Sequence, residues 1–90
     1  MNPADYHRTI DEAILDVLSP LDGGLMTEAI LHAAVERKTT PRATLADFEE
    51  RLRHCETRRW ITGRTSPFGG ARKWAITDAG EIARREMRNG

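Results

Sequence analysis

The stretch Trp60–Thr77, WITGRTSPFGGARKWAIT, decides the fold of this 90-residue chain. Its two arms, Trp60–Thr65 and Arg72–Thr77, are rich in Trp, Ile and Thr, which favour strands. The Ser-Pro-Phe-Gly-Gly segment between them is typical of a turn, because proline and glycine supply the backbone angles that a chain reversal needs. The stretch therefore predicts a two-stranded hairpin. Since side chains alternate along a strand, its inner face is expected to hold Ile61, Trp74 and Ile76.

Apolar residues at helical spacing predict the first two helices of the chain. The first begins at Asn2-Pro3, where an N-cap residue precedes a proline, and it ends at Ser19-Pro20. The short apolar piece Leu25-Met26 is a strand candidate. The second helix follows Thr27, which is an N-cap residue type. Its apolar face is expected to hold Ile30, Leu31, Ala34 and Val35.

A third helix is predicted to begin near residues 42–44 and to run to about Arg59. Thr44, with Asp47 three residues later, resembles a capping box. The buried side is fixed by the apolar stripe Leu45, Phe48, Leu52 and Cys55. At about 100° per residue, the opposite side is expected to show Ala43, Ala46, Asp47, Glu50, Arg53, His54 and Thr57.

A fourth helix is predicted after Thr77-Asp78, with Arg84, Arg85 and Arg88 on its exposed side. The predicted class is therefore α+β, mainly α. A length of 90 residues, with 31% charged and 39% hydrophobic, suits one domain over residues 1–90. No apolar run approaches membrane-spanning length and the N-terminus lacks a signal-peptide pattern, so we expect a cytoplasmic protein with no membrane partner. The single cysteine cannot form an intrachain disulfide.

The net charge of zero hides a difference between the two halves of the chain. Residues 1–50 carry four Arg or Lys against ten Asp or Glu, hence −6, and residues 51–90 carry the reverse, ten against four, hence +6. Such polarity can mark a face for an anionic partner. The alternative is that folding interleaves the two halves, so that acidic and basic side chains lie beside one another.

The predicted order of elements is helix, short strand, helix, helix, hairpin and helix, and it resembles that of a winged helix-turn-helix domain. From about Tyr6 to Met87 the chain is similar to small bacterial or phage regulators of the PadR and MarR kind. The phrases that carry the likeness are Arg58-Arg59-Trp60-Ile61, at the end of the third helix, and Ala75-Ile76-Thr77-Asp78-Ala79-Gly80, before the fourth. The resemblance implies a three-helix core, a two- to three-stranded β-wing and a short C-terminal helix.

Two departures from those regulators stand out. Arg59 occupies a position where they usually have glycine. The chain also ends soon after Met87, without their long dimerising helices, so dimerisation in their manner is not expected. A homodimer remains open, because regulators often read two half-sites, and its candidate surfaces are the first and last helices.

The resemblance implies that the third helix enters the major groove of DNA and that the wing contacts the backbone or the minor groove. Arg and Lys neutralise phosphates, and Arg also reads base edges. The candidate DNA-binding residues are Lys38, Thr40, Arg42, Thr44, Arg53, Arg64, Arg72 and Lys73. In this reading the small Ala43 and Ala46 would permit close approach to the groove.

Several candidate residues also have a purely structural interpretation. Asp47 and Glu50 would repel phosphates, although a carboxylate can accept a hydrogen bond from cytosine. The third helix can instead be a solvated face with ion pairs between residues 47 and 51 and between residues 49 and 53. Phe68 lies in the turn, where packing on the helices, contact with a partner and a wedge against DNA all remain open. Trp60 and Trp74 are expected in the core.

No pattern of residues indicates an enzyme. The histidines His7, His32 and His54 lie on three different predicted helices, and none has metal-ligand spacing with another His or Cys. Cys55 lies on the apolar stripe, where a small buried thiol is expected. The Gly-Gly pair belongs to a hairpin turn and opens no helix, so it does not indicate a phosphate cradle. We expect no catalytic residues, no metal and no cofactor.

Two functions from different classes follow from these observations. The first is a sequence-specific protein that binds double-stranded DNA as a small transcriptional regulator. The second is a winged helix that contacts another protein in a phage or nucleoprotein assembly without binding DNA. The neutral net charge and the acidic residues of the third helix favour the second, because DNA-binding domains are often basic overall.

Overall fold

The structure is a computed structural model, and it describes residues 2–89. It is mainly helical, with a small antiparallel sheet, which confirms the α+β, mainly α, class. The elements in chain order are α1 Pro3–Leu18, β1 Met26–Thr27, α2 Glu28–Lys38, α3 Leu45–Thr57, β2 Ile61–Arg64, β3 Lys73–Ile76 and α4 Asp78–Asn89.

Both ends of α1 lie where the sequence predicts them. The Asn2 side chain accepts a hydrogen bond of 2.8 Å from the Ala4 N–H, and Pro3 occupies the first helical position. The helix ends at Leu18 and continues as a short 3₁₀ turn over Ser19–Leu21. Asp22 then adopts a left-handed conformation with φ of 50°, which turns the chain towards β1.

The hairpin prediction is confirmed, and a third strand joins it. The sheet order is β1-β3-β2, with β3 in the centre and both pairings antiparallel. Trp74 pairs with Met26 on one side and with Gly63 on the other. Of the candidate piece Leu25-Met26, Met26 lies in β1, and the pairing of β1 with β3 ties the start of α2 to the hairpin.

One cluster of buried side chains joins the helices to the sheet. Its largest fully buried members are Trp74 and Phe48. Aliphatic side chains of α1 pack against both, because α1 lies across α2, α3 and α4. The buried members from α1 are Ile10, Ala13, Ile14, Leu15 and Leu18; those from the other elements include Leu31, Val35, Leu52, Cys55, Ile61 and Ile76.

Three burial predictions for α2 and α3 are wrong. Ile30 and Leu45 were expected in the core, but 59% and 54% of their surfaces are exposed. Only Leu31 and Val35 of α2 are buried, so its core-facing stripe is narrower than the predicted one. Ala43 was expected on the exposed side of the third helix, but it is 1% exposed. It precedes the helix, where its N–H donates a 2.9 Å hydrogen bond to the buried Thr39 hydroxyl, so helical spacing does not apply to it.

The third helix ends in a left-handed residue that is not glycine. Arg59 has φ of 61°. Its N–H donates to the Glu56 carbonyl at 2.9 Å, and the Trp60 N–H donates to the Cys55 carbonyl at 3.0 Å. These two bonds define a Schellman motif, whose left-handed position normally holds glycine because a Cβ is strained there. The left-handed conformation therefore places strain at Arg59.

Arg59→Gly should stabilise the protein. Relief of the left-handed strain outweighs the entropy that glycine adds to the unfolded chain, for a net gain of roughly 0.5–1 kcal/mol. The free energy of unfolding in urea measures this gain. The matched control is Arg58→Gly, because Arg58 is right-handed with φ of −77° and glycine should destabilise there. Equal changes in the two variants would contradict the assignment of strain to Arg59.

The base of the hairpin is joined to α4 by a close backbone contact. Thr77 donates its N–H to the Trp60 carbonyl at 3.0 Å and its hydroxyl to the Arg59 carbonyl at 2.6 Å. The same hydroxyl accepts the Gly80 N–H at 3.0 Å and so caps α4. A Cβ on Gly80 would collide with the Trp60 carbonyl oxygen and lie 2.8 Å from Ile76 Cγ1. Glycine at position 80 is therefore required by packing.

Gly80→Ala should destabilise the protein by about 2–3 kcal/mol or more, because the added methyl forces backbone to move. A loss of stability would set this position apart from an ordinary helical one, where replacing glycine by alanine stabilises the protein by about 1 kcal/mol. Thermal and urea unfolding followed by circular dichroism measure the change. A rise in stability would show that α4 does not approach Trp60 this closely.

Ion pairs join the acidic first half of the chain to the basic second half. Arg51 donates two hydrogen bonds to the Asp11 carboxylate, at 2.8 and 2.7 Å, and Arg84 donates to Asp16 at 2.7 Å. Folding thus interleaves the halves at these positions. Two expectations are corrected: Arg51 pairs with α1 and not with Asp47, and Arg84 is half-buried rather than on an exposed face.

Asp11→Ala should cost about 3–5 kcal/mol, because it leaves the Arg51 charge unpaired in a poorly solvated site. The side chains of Asp11 and Arg51 are only 6% and 15% exposed. Urea unfolding of Asp11→Ala and of the double variant Asp11→Ala/Arg51→Met measures the effect, and the double variant should recover part of the loss. As a control, Glu56→Gln breaks a more exposed pair and should cost under about 1 kcal/mol. Equal costs for Asp11→Ala and Glu56→Gln would contradict the prediction.

Candidate nucleic-acid interface

Two cations face each other on the outer side of the hairpin. Arg64 at the end of β2 is paired in register with Lys73 at the start of β3. Both side chains are exposed, and among residues 2–89 neither forms an ion pair. The stretch Trp60–Thr77 contains no Asp or Glu. The hairpin therefore presents two positive charges to solvent at the ends of its strands, next to the turn.

The third predicted wing cation, Arg72, is engaged within the protein. Its guanidinium donates to the Glu56 carboxylate at 3.0 Å and lies 4.7 Å from the centre of the Trp74 ring. Its side chain is 46% exposed, so it remains accessible from one side. Arg72 thus links the hairpin to the end of α3, and its charge is partly offset by Glu56.

Trp74 is held in place by packing and by a hydrogen bond. A Cβ on Gly63 would lie 2.8 Å from the Trp74 ring, so the ring packs directly over that glycine. The indole Nε1–H donates to Glu28 Oε1 at 2.9 Å, which satisfies the polar atom of a residue that is 2% exposed. The core prediction for Trp74 is confirmed.

Trp60 lies at the edge of the core, not within it. It is half-buried, with the Arg58 guanidinium 5.2 Å from its ring and the His54 ring 5.6 Å away in an edge-on orientation. His54 was expected on the exposed side of the third helix, and this contact makes it half-buried. Burial, followed by the nearby Arg51 charge, lowers the pKa of His54. The lowered pKa favours the neutral form of the His54 imidazole.

The outward face of α3 carries mixed charge. Arg53 is exposed and shares a cleft with Arg72, which brings one predicted helix cation beside the hairpin. Glu28 and Glu49 line the same cleft. The other exposed residues of this face and of the turn before it are Arg42, Thr44, Leu45, Ala46 and Glu50.

Thr44 and Asp47 have structural roles at the start of α3. The Thr44 hydroxyl accepts the Asp47 N–H at 3.1 Å and so caps the helix, as the sequence predicts. The Asp47 carboxylate accepts the Tyr6 hydroxyl at 3.1 Å. Burial raises the pKa of Tyr6, and this hydrogen bond raises it further. Asp47 is thereby turned towards α1 and away from the face that Glu50 and Arg53 form.

The remaining candidates lie at the end of α2 and in the turn that follows it. Lys38 lines a cleft with Thr9, Glu12 and Asp16 of α1, so its charge lies beside acidic side chains. Thr40 and Arg42 are exposed in the turn between α2 and α3. The structure thus forms two separate pairs of candidates, Arg64 with Lys73 across the hairpin and Arg53 with Arg72 in the cleft beside α3, and places Lys38 beside α1.

Sequence reasoning missed the acidic residues that hold Trp74 and Arg72 of the hairpin segment in place. The Glu28 carboxylate accepts a hydrogen bond from Trp74, and the Glu56 carboxylate accepts one from Arg72. Each glutamate lies on a helix distant in sequence from its partner. No local pattern marks either residue, because the pairing depends on how the sheet packs against α2 and α3. The first-turn position of Glu28 explains only a favourable interaction with the helix dipole.

Other chemistry finds little support in the part of the chain that the structure describes. Residues 2–89 contain no group of three or more His, Cys, Asp or Glu that could hold a metal ion. Burial raises the pKa of the Cys55 thiol to about 12, which makes it a poor nucleophile. None of the described helices has the length and apolar character that crossing a membrane requires.

No protein-family model, curated protein or solved structure matches the chain.

Proposed function

We propose that this chain is a winged helix-turn-helix protein that binds double-stranded DNA and acts in the cytoplasm as a small transcriptional regulator. The observation that carries the proposal is the cross-strand pair Arg64 and Lys73, two exposed cations without an ion-pair partner in residues 2–89. The element order, with β1 inserted between α1 and α2 and paired to β3, supports the same assignment.

In this proposal the wing and α3 have different roles. Arg64 and Lys73 neutralise phosphates, which supplies affinity without sequence preference. Arg53 and Arg42 lie on the exposed side of α3 and before it, from which they can reach base edges in the major groove. Glu49 and Glu50 repel phosphates and can accept a hydrogen bond from cytosine, so α3 would contribute selectivity more than affinity.

A second candidate function is contact with another protein. The specific observation in its favour is the exposure of apolar residues on α2 and α3. Ile30 on α2 is 59% exposed, and Leu45 on α3 is 54% exposed. Leu45 also lines a cleft of about 310 Å³ with Phe48, His32 and Ala71. Leu45 lies one turn before Glu49 on α3, and an exposed apolar residue next to a carboxylate suits a basic, partly apolar protein surface better than a phosphate backbone.

Fluorescence anisotropy with labelled duplex DNA, at several salt concentrations, tests the first function. The double variant Arg64→Ala/Lys73→Ala should bind more weakly to all sequences. The slope of log affinity against log salt should fall by about 2, since each phosphate contact contributes about 0.9.

The matched control is Arg85→Ala/Arg88→Ala, which removes the same charge from exposed positions of α4. That helix begins at the base of the hairpin, at the opposite end from Arg64 and Lys73. An equal loss in both double variants would indicate a general charge effect and not a wing contact. No binding by the unaltered protein at low salt would favour protein contact.

A further inference from the structure

The tip of the hairpin has a defined turn with an aromatic residue at its apex. The Gly69 N–H donates to the Ser66 carbonyl at 3.0 Å, and the Ser66 hydroxyl accepts the Phe68 N–H at 3.2 Å. Gly69 and Gly70 have φ of 85° and 107°, angles that favour glycine. The turn is thus closed by its own hydrogen bonds, and Phe68 is not needed to fold it.

Phe68 is the most exposed large hydrophobic residue of the described chain. Its exposed fraction is 97%, whereas those of the other exposed large hydrophobic residues lie between 39% and 59%. Burying such a ring is favourable because it removes apolar surface from water, and Phe68 obtains almost none of this gain within the protein. A partner that covers the ring would therefore gain it.

The charges around the tip identify the partner. Arg64 and Lys73 flank the loop on its two arms, and the nearest acidic residues in sequence lie outside Trp60–Thr77. From Arg64 to Phe68 the chain spans at most about 13 Å, which is enough to place the ring in a groove while the cation reaches a phosphate at its edge. The minor groove is about 6 Å wide and accommodates a hairpin tip, and apolar wedges that kink DNA there include Phe.

We propose that Phe68 is a wedge that enters the minor groove of double-stranded DNA and partly unstacks a base step. Arg64 and Lys73 hold the phosphates on either side of it. The inference rests on the proposed function and adds to it a way of distorting DNA, with flexible TA steps as the preferred target. A pocket on a protein would need carboxylates at its rim to match the same two cations, so DNA is the occupant that we favour.

The test uses duplexes that carry 2-aminopurine at a single TA step, because the fluorescence of this base rises when it is unstacked. A second duplex labelled at both ends reports bending by energy transfer. The unaltered protein should raise the 2-aminopurine signal and shorten the end-to-end distance. Phe68→Ala should lose both effects and bind about tenfold more weakly, as expected for loss of aromatic stacking on a base.

The matched control is Phe68→Leu, which keeps an apolar wedge and should retain most of the bending. Since Phe68 has almost no contact with the rest of the protein, all variants should melt at the same temperature as the unaltered protein. Binding with an unchanged signal in Phe68→Ala overturns the wedge and leaves the proposed function standing. No binding by the unaltered protein overturns both, and Phe68 would then be assigned to contact with a protein.

Discussion

The packing of Trp74 is the interaction on which the rest of the structure depends. The ring lies over Gly63 of the neighbouring strand, its Nε1–H bonds Glu28 at the start of α2, and Arg72 covers its outer side. One side chain therefore fixes the hairpin to α2. A two-stranded hairpin alone is marginally stable in water, so the hairpin holds its position because Trp74 is buried.

The charges of this protein divide into those used by folding and those left for a partner. Asp11 and Asp16 of α1 engage Arg51 and Arg84, and Glu56 engages Arg72. Asp11–Arg51 and Asp16–Arg84 join the acidic half of the chain to the basic half, whereas Glu56 and Arg72 both lie in the basic half. Arg64 and Lys73 are exposed on the outer side of the hairpin and form no ion pair within residues 2–89, so their charges remain available to a partner.

The proposed DNA contact thus concentrates at the hairpin, and α3 contributes less. The backbone at the tip is fixed by its own turn, the base is fixed by Thr77 and Gly80 against Trp60, and the cations lie between the two ends. A rigid projection of this kind can place a charge and an aromatic ring at a set separation with little loss of entropy on binding. The exposed acidic residues of α3 make that helix an element of discrimination in the DNA proposal.

The sequence by itself determined the element order, the inner face of the hairpin and most of the core. Local rules were sufficient there: an Asn-Pro helix start, alternation along the strands, and the stripe Phe48, Leu52 and Cys55. It also located the exposed cations Arg64 and Lys73, since a hairpin brings its arms together.

Only the tertiary structure decided which charges are free and which apolar residues are covered. Arg72 and Arg84 look like Arg64 in the sequence, yet their partners lie 16 and 68 residues away. Leu45 fits the helical stripe but is exposed, whereas Ala43 before the helix and Phe48 three residues after Leu45 are buried. Helical and strand spacing fix the direction of a side chain relative to its own element. Its neighbours depend on packing between elements, which local spacing does not encode.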